Sequence, residues 1–383
     1  MAQTVNLVTM RRPNRWDRGV AAYRRRVGSL IEYAQLGSRL ESALATFLRQ
    51  QRHRLVEIDG ELHEVADAIE AFVLGGGKRI RPAFAYWGFR GADGKDDDSL
   101  VKAVASLELL QASALIHDDL MDDSDTRRGE PSIHRKFESK HQEIGWAGDS
   151  HQFGSCSAIL LGDLCMTWSD EMFTSAGMHP ESIQAAREDF DAMRTEVCAG
   201  QYLDVLNQVK RDISVERALK VAQYKSAKYT IERPLLMGAA LAGGSQKLRE
   251  VYSGYGLPLG EAFQLRDDVL GVYGDPKQTG KPAGDDLREG KHTYLIACAY
   301  RSCDSSGRKL LDDNLGNAEL DDEGIAALRT LISDTGALAT TEQRIDRLAD
   351  EAAAALRQGQ GIVSSEASTV LAELADAAVR RAV

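Results

Sequence analysis

Apolar residues recur every three or four positions along most of the chain, which is the spacing of an α-helix with one buried face. This pattern covers residues 34–73, 190–209, 215–241, 248–272 and 293–300, and it continues in an Ala-rich tail over 325–383. Residues 100–120 are apolar on nearly every side, as expected of a helix in the centre of a bundle. No long stretch alternates apolar and polar residues as a half-buried strand would. The pattern therefore predicts an all-α protein.

Glycine, proline and acidic residues separate these predicted helices. Gly75–Gly77 ends the first pattern, and Pro82 permits a new helix to begin a few residues later. Polar stretches predict connections over residues 91–99, 138–154, 274–291 and 304–323. The beginning of the chain is polar and rich in arginine. We therefore predict two parts, an N-terminal extension over residues 1–33 and one helical domain over residues 34–383.

Composition supports a globular helical protein and argues against several classes of function. Only 8 of the 383 residues are proline, so few helix breakers are present. Lys and Arg total 47 and Asp and Glu total 58, and the net charge of 47 − 58 = −11 disfavours general nucleic-acid binding. The longest apolar stretches are shorter than the ~20 residues of a membrane span. Five cysteines without a CxxC pair favour free thiols, and we expect a cytoplasmic protein.

The strongest chemical signal is the acidic and basic segment 118–129, directly after the apolar helix. Asp118 and Asp122 are four residues apart, so a helix places their carboxylates on one face at about 5–6 Å. Two carboxylates this close repel each other unless a cation neutralises them, and Mg²⁺ prefers such oxygen ligands. Arg127 and Arg128 could then hold phosphate oxygens. Taken alone, the segment could equally be a solvated acidic turn.

Two further segments carry similar chemistry. Asp267 and Asp268 end another apolar helix and precede a loop rich in glycine and lysine. In the third segment, Lys78 and Arg81 follow three glycines, where exposed backbone N–H groups and two cations could reach one anion. This segment lacks the spacing of a nucleotide-binding P-loop. By itself, each segment could be an ordinary polar connection.

Three more polar residues lie inside predicted helices. Lys225 and Ser226 could face an anion, although a helical lysine is usually solvated. Gln111 lies two helical turns before Asp118 on an otherwise apolar helix, so its amide needs a partner. Together with the three segments, they describe a site that binds two polyphosphates through several metal ions.

These segments resemble the trans-isoprenyl diphosphate synthase family, the polyprenyl synthetases. The matching pieces are GGGKRIRP at 75–82, LIHDDLMDDSDTRRG at 115–129, LLGD at 160–163, Lys225-Ser226 and FQLRDDVLGVYGDPKQTGKPAGDDL at 263–287. The resemblance spans about residues 35–300 in the family's order and spacing. The GDSHQFG stretch and the GDPKQTGKPAGDDLREGK loop are most similar to actinobacterial geranylgeranyl diphosphate synthases.

The resemblance implies a bundle of about ten core helices around a deep cavity, and usually a homodimer. It implies that three Mg²⁺ ions bridge the allylic diphosphate to two aspartate motifs. The first motif is Asp118, Asp119 and Asp122, and the second is Asp267 and Asp268. The residues implied to complete the allylic site are Arg127, Lys225, Gln264 and Lys281, and Ser226 is a further implied substrate-binding residue. Those implied to hold isopentenyl diphosphate are Lys78, Arg81, Gln111 and Arg128.

The sequence departs from the family pattern at two positions. The second motif of many relatives is DDxxD, whereas its fifth position here is Gly271. A contact to a metal ion or its water is therefore expected to be missing there. Ser226 stands where threonine is commoner.

The predicted activity is Mg²⁺-dependent condensation of isopentenyl diphosphate with an allylic diphosphate, which is dimethylallyl, geranyl or farnesyl diphosphate. Ser113 and Ala114 lie about one turn before Asp118, where short-chain relatives tend to carry an aromatic residue. Because both are small, they leave room for a tail beyond the farnesyl stage. The expected product is geranylgeranyl diphosphate, with a longer polyprenyl or farnesyl diphosphate as alternatives.

Three other functions are weighed against this one. A type I terpene cyclase would share DDxxD but would carry an Asn/Ser/Glu metal triad, which we do not find in the sequence. A His-Asp phosphohydrolase could use His117 and Asp118 but needs further histidine ligands. We expect His117 to be structural. A regulatory subunit of a heteromeric synthase usually lacks the aspartates that this chain retains.

Overall fold

The fold is built almost entirely of helices, in agreement with the sequence pattern. A computed structural model describes residues 15–274 and 284–379. The first half contains α1 (Arg15–Ile58), α2 (His63–Leu74), α3 (Ile80–Gly91), α4 (Asp98–Met121), α5 (Ile133–Ile144), α6 (Ser150–Thr174) and α7 (Pro180–Lys210). A 3₁₀ turn, Gly60–Leu62, joins α1 to α2. Helix α1 crosses the predicted boundary at residue 33, and the division into two parts stays a prediction.

The second half continues the bundle. Its helices are α8 (Val215–Val221), a π-helix (Ala222–Glu232), α9 (Arg233–Leu241), α10 (Gln246–Tyr273), α11 (Asp285–Arg288), α12 (Tyr294–Ser302), α13 (Ser305–Asn314), α14 (Asp322–Asp334), α15 (Ala337–Gln358) and α16 (Ser365–Val379). Two short strands, β1 (Thr126–Arg127) and β2 (Glu130–Pro131), form an antiparallel hairpin after α4. The all-α prediction is therefore confirmed.

Helix α4 lies at the centre of the bundle. Its N-cap, Asp97, accepts a hydrogen bond from the Leu100 amide at 2.8 Å, and such a cap contributes about 1 kcal/mol. Leu107, Leu109 and Leu110 are completely buried, which stabilises the fold by about 1.5–3 kcal/mol for each side chain. Among the described residues, α4 is the one helix long and apolar enough to cross a membrane, but 72% of its apolar window is buried inside the protein. It is the core helix of the bundle.

The predicted connection over residues 138–154 is wrong in its extent. Helix α5 runs to Ile144, so only five residues separate it from α6. Ile133, Phe137 and His141 follow each other at intervals of four and are buried on one face. The many polar residues between them hide this periodicity in the sequence.

Part of the predicted acidic connection at 304–323 is helical as well. Asp304 caps α13 by accepting a hydrogen bond from the Gly307 amide at 2.8 Å. Leu311 is completely buried, so this amphipathic helix is anchored by one apolar side chain. All five cysteines are free, as their spacing predicts.

Two ends of helices set the position of the site. Helix α4 ends at Met121, and α10 carries Asp267 and Asp268 close to its own end at Tyr273. Arg266 on α10 forms hydrogen bonds of 2.6 and 2.7 Å with Glu342 on α15, which fixes α10 against the C-terminal helices. The acidic ends of α4 and α10 therefore border one cavity.

Candidate active site

A cavity of about 720 Å³ lies between α4, α7, α8, the π-helix and α10. Its polar walls contain most of the predicted site residues: Lys78, Arg81, Gln111, Asp118, Arg127, Lys225, Ser226, Gln264, Asp267 and Asp268. These residues come from five separate parts of the sequence, and the fold brings them together. Lys281 lies outside the described residues.

Two lysines and one glutamine hold the carboxylates of Asp118 and Asp122 in the first aspartate motif. Asp118 accepts hydrogen bonds from Lys225 Nζ at 3.1 Å and from Gln201 Nε2 at 2.8 Å. Asp122 Oδ2 lies 3.2 Å from Lys291 Nζ. Asp118 lines the cavity and Asp122 borders it through Lys291, so this end of α4 combines carboxylates and ammonium groups in one place.

Asp119 has different surroundings from its two neighbours. It is 1% exposed and accepts a hydrogen bond from Arg127 Nε at 2.8 Å, with a second guanidinium contact to the same oxygen. It is not part of the cavity lining, whereas Arg127 is. The carboxylate of Asp119 therefore orients Arg127 toward the cavity, and its predicted contact with metal stays a prediction.

Burial and charge act in opposite directions on the first motif. Burial alone would raise the pKa of Asp118, but the charges of Lys225, Lys291 and Arg127 outweigh it and hold this pKa well below its usual range. At Asp122, burial and the charge of Asp118 raise the pKa to about 6. The pair therefore divides into one firmly ionised carboxylate and one that holds a proton more readily.

The second aspartate motif carries an excess of negative charge. Asp268 accepts a hydrogen bond from Gln264 Nε2 at 2.7 Å, and burial raises its pKa to about 8. Repulsion from Asp286 and Asp267 contributes to this raised pKa. This corner of the cavity therefore favours a cation.

Gly271 has a structural explanation in Asp286. A Cβ atom added at Gly271 would collide with the Asp286 carboxylate, so only glycine leaves space for that group. Both residues line the cavity. The Asp286 carboxylate on α11 thus occupies the space where an aspartate at the fifth position of the second motif would lie.

The donor set fits magnesium. Six aspartates line the cavity: Asp118, Asp204, Asp267, Asp268, Asp285 and Asp286. Carboxylate oxygens are the ligands that Mg²⁺ prefers, and the raised pKa of Asp268 marks negative charge that a divalent cation would neutralise. Within residues 15–274 and 284–379, no three acidic, histidine or cysteine side chains converge as a closed metal site would. Ions bound here would complete their coordination with water and phosphate oxygens.

The cavity also has a basic corner, which lies at the start of α3. Arg81 donates to Thr230 Oγ1 at 2.8 Å, and its guanidinium stacks on the Tyr229 ring at 4.2 Å from the centroid. The Tyr229 hydroxyl donates to Gln111 Oε1 at 2.8 Å, which provides a partner for this half-buried amide. Lys78 lines the same wall. These contacts orient the cationic and amide groups at a distance from the aspartate motifs.

Two other predicted residues lie outside the cavity lining. Arg128 donates from Nη1 to the Gly76 carbonyl oxygen at 2.7 Å, so it holds the glycine turn. Ser113 is completely buried in the core, while its neighbour Ala114 is on the cavity wall. His117 contacts the Ile159 carbonyl oxygen at 3.2 Å, in keeping with its predicted structural role.

Sequence reasoning missed three residues of the site. Gln201 and Asp204 lie on α7, one turn apart, and Asp204 accepts a hydrogen bond from Lys225 at 2.7 Å. Lys291 contacts Asp122 and Glu289. The sequence signal for Asp204 was an aspartate on the apolar face of a long helix. For Lys291, the signal was its place at the end of the polar loop.

The fold and this cavity define a helical protein with carboxylates and cations arranged for two phosphate-bearing ligands. The polyprenyl synthetase family model matches residues 63–332, and the chain belongs to that family. The family predicted from the sequence is confirmed.

Several known proteins resemble the chain closely. The crystal structure of geranylgeranyl pyrophosphate synthase from Corynebacterium glutamicum, complexed with isoprenyl diphosphate and magnesium, superposes with a TM-score of 0.88. It is 39% identical, and the match covers 91% of this chain and 99% of that one. Geranylfarnesyl diphosphate synthase of Aeropyrum pernix is 32% identical over 276 residues, 71% of this chain and 80% of the relative. The (2E,6E)-farnesyl diphosphate synthase of Mycobacterium tuberculosis is 34% identical over 259 residues, 67% of each chain.

Proposed function

We propose that the protein condenses isopentenyl diphosphate with an allylic diphosphate in head-to-tail fashion, with geranylgeranyl diphosphate as its product. One observation carries the proposal. A single cavity contains both an acidic corner with Asp118, Asp267 and Asp268 and a basic corner with Lys78 and Arg81. A metal-bound diphosphate fits the first corner, and a diphosphate bound directly by cations fits the second.

The acidic corner would bind the allylic diphosphate. Mg²⁺ held by Asp118, Asp122, Asp267 and Asp268 would neutralise charge on the departing diphosphate, and we propose three ions by similarity to the family. Lys225 and Arg127 add cationic donors at the same place. Because Lys225 is already fixed by Asp118 and Asp204, its ammonium group needs little reorganisation when charge develops.

The basic corner would bind isopentenyl diphosphate. Lys78 and Arg81 supply charge, and the Tyr229 hydroxyl orients Gln111 beside them. This arrangement holds the double bond of isopentenyl diphosphate toward the allylic carbon. The proton lost after condensation passes to the departing diphosphate, so the reaction requires no protein nucleophile.

The remaining wall of the cavity is apolar. It is formed by Ala114, Leu115, Val197, Ala218, Val221 and Ala222. An allylic cation needs surroundings without water, and a prenyl tail needs an apolar path. The small alanines leave this path open, which supports a product longer than farnesyl diphosphate.

We also propose a cytoplasmic homodimer. Ile159 and Leu160 on α6 are 47% and 61% exposed, and Met121 at the end of α4 is 51% exposed. A second copy of the chain would cover such apolar side chains. The alternative of a regulatory subunit is disfavoured because the chain retains the aspartates of both motifs.

A product assay tests the proposed activity. The purified chain is incubated with isopentenyl diphosphate, farnesyl diphosphate and Mg²⁺, and the product is analysed by chromatography after dephosphorylation. We expect geranylgeraniol, and no product when Mg²⁺ is chelated. A cyclic hydrocarbon would indicate a terpene cyclase. Activity that appears only after a partner chain is added would indicate a regulatory subunit.

A further inference from the structure

The turn between α2 and α3 presents its basic residues in two directions. Lys78 and Arg81 line the cavity, whereas Arg79 between them does not. Arg79 is 6% exposed and has a left-handed backbone conformation with φ of 48°. This conformation is sterically unfavourable for any residue with a Cβ atom. Contacts of the Arg79 side chain must therefore hold it there.

These contacts come from two helices. Arg79 Nη1 donates to Glu108 Oε2 on α4 at 2.6 Å, and Nη2 donates to the Val73 carbonyl oxygen on α2 at 2.9 Å. Glu108 is also 6% exposed, so the ion pair is buried on both sides. Three residues further along α4, Gln111 lines the cavity. The Arg79 guanidinium thus connects the turn to the helix that carries a cavity residue.

A second guanidinium holds the other side of the turn. Arg128 donates to the Gly76 carbonyl oxygen at 2.7 Å. A Cβ atom added at Gly77 would lie 3.2 Å from Arg128 Nη2 and 3.7 Å from Arg79 Nη1. Gly77, whose φ is 127°, therefore packs closely against two guanidinium groups. The path of the chain into Lys78 is set by these side chains.

We propose that Arg79 is a positioning residue for the basic corner. Through its buried ion pair with Glu108, it holds the turn so that Lys78 and Arg81 face the same diphosphate. This inference rests on the proposed function of that corner. Neither Arg79 nor Glu108 lines the cavity, so their effect on the substrate is indirect. Breaking the pair should weaken binding of isopentenyl diphosphate and leave the allylic diphosphate unaffected.

Steady-state kinetics of Arg79→Lys and Glu108→Gln test this role. Lysine keeps the charge of Arg79 but lacks the fork that reaches both Glu108 and Val73. We expect each variant to raise KM for isopentenyl diphosphate about tenfold, as for one misplaced charge-assisted hydrogen bond. KM for farnesyl diphosphate should stay unchanged. If Arg79→Lys does not fold, Glu108→Gln provides the same measurement from the other partner.

A double variant separates positioning from stability. Arg79→Met with Glu108→Leu removes both buried charges, so thermal stability should recover relative to Glu108→Gln. The turn is still not held, and KM for isopentenyl diphosphate should remain raised. If this KM returns to the wild-type value together with the melting temperature, the pair only stabilises the fold and the inference is wrong.

Two control variants complete the experiment. Arg249→Lys removes the forked contact of Arg249 with buried Asp189, whose hydrogen bonds are 2.7 and 3.0 Å, and neither residue lines the cavity. It should lower the melting temperature without a selective change in KM.

Lys78→Ala should raise KM for isopentenyl diphosphate about ten- to a hundredfold. If Lys78→Ala has this effect but the Arg79 and Glu108 variants do not, only the positioning role is wrong. If Lys78→Ala has no effect, the proposed diphosphate corner is wrong.

Discussion

At Asp118, neighbouring cations determine the charge state of the carboxyl group before any metal ion binds. Lys225 lies 3.1 Å away and is shared with Asp204, while Arg127 Nη2 lies 3.9 Å from the other carboxylate oxygen. These charges lower the pKa of Asp118 against the effect of burial. Asp118 is therefore an ionised carboxylate at every pH at which the protein would work.

Removing this carboxylate should abolish turnover. We expect Asp118→Ala, and likewise Asp267→Ala, to lower kcat by several orders of magnitude, because each loses a contact that stabilises the leaving diphosphate. Lys225 keeps its bond to Asp204, so the melting temperature of Asp118→Ala should fall only slightly. Exposed Asp346 on α15 provides the control Asp346→Ala, which should behave as wild type. Near-normal turnover of Asp118→Ala would contradict the assignment.

Metal binding should depend on pH through the two protonatable carboxyl groups. Burial raises the pKa of Asp122 to about 6 and that of Asp268 to about 8. A raised carboxyl pKa means that the folded protein binds the proton more tightly than the unfolded chain. These groups therefore destabilise the metal-free protein progressively as pH rises from their ordinary pKa of 3.8 to about 6 for Asp122 and to about 8 for Asp268.

Because Mg²⁺ must displace these protons, its affinity should rise over the same range. We expect Mg²⁺ to raise the melting temperature more at about pH 8.5 than at about pH 6. Thermal shift measurements at constant ionic strength provide the test. Asp268→Asn removes the group that titrates at the higher pH and should flatten the upper part of this dependence. A Mg²⁺ effect that is equal at both pH values would contradict the explanation.

At the scale of elements, α4 connects the proposed metal site to the apolar wall. Ala114 lies four residues before Asp118 and lines the cavity, so a ring at this position would fill the path of the tail. Ala114→Phe should shift the main product toward farnesyl or geranyl diphosphate while activity persists. Ser113 is completely buried and lies outside the cavity lining, so Ser113→Phe should lower the melting temperature, and it should shorten the product only as far as its ring displaces neighbouring side chains into the path of the tail.

Product analysis by chromatography measures both variants. Val209→Phe is the control, because Val209 on α7 is 74% exposed and should leave product length unchanged. If Ala114→Phe and Ser113→Phe both remain active with the wild-type product, the tail does not pass this face of α4.

The sequence predicted long helices better than short ones. Helices α4, α7 and α10 were evident from periodicity, because each buries an apolar face over many turns. Helix α5 was missed, because it is short and polar residues surround its few anchors. The residues of the site were likewise easier to predict where they are close together in the sequence. The aspartate pairs are contiguous in sequence, whereas the bond between Gln201 and Asp118 joins residues 83 positions apart and depends on the packing of α7.

At the scale of the whole molecule, the apolar surface of α6 leads to the last prediction. Ile159 and Leu160 are exposed, and Cys156 and Asp163 lie on the same exposed strip of α6. If two copies associate through this strip, symmetry brings each patch against its equivalent on the partner. A carboxylate introduced there would be buried without a counterion in the dimer, which is strongly unfavourable.

We therefore expect the wild-type protein to be a dimer and Leu160→Asp to be a monomer, as measured by light scattering coupled to size-exclusion chromatography. Val209→Asp places the same charge on an exposed apolar position of α7, 74% exposed against 61% for Leu160, and should remain dimeric. A dimeric Leu160→Asp would place the interface elsewhere, and a monomeric wild-type protein would exclude the proposed homodimer. Leu160 does not line the cavity, so any activity lost with dissociation would show that the second copy supports the packing of α6 against α4, which does line it.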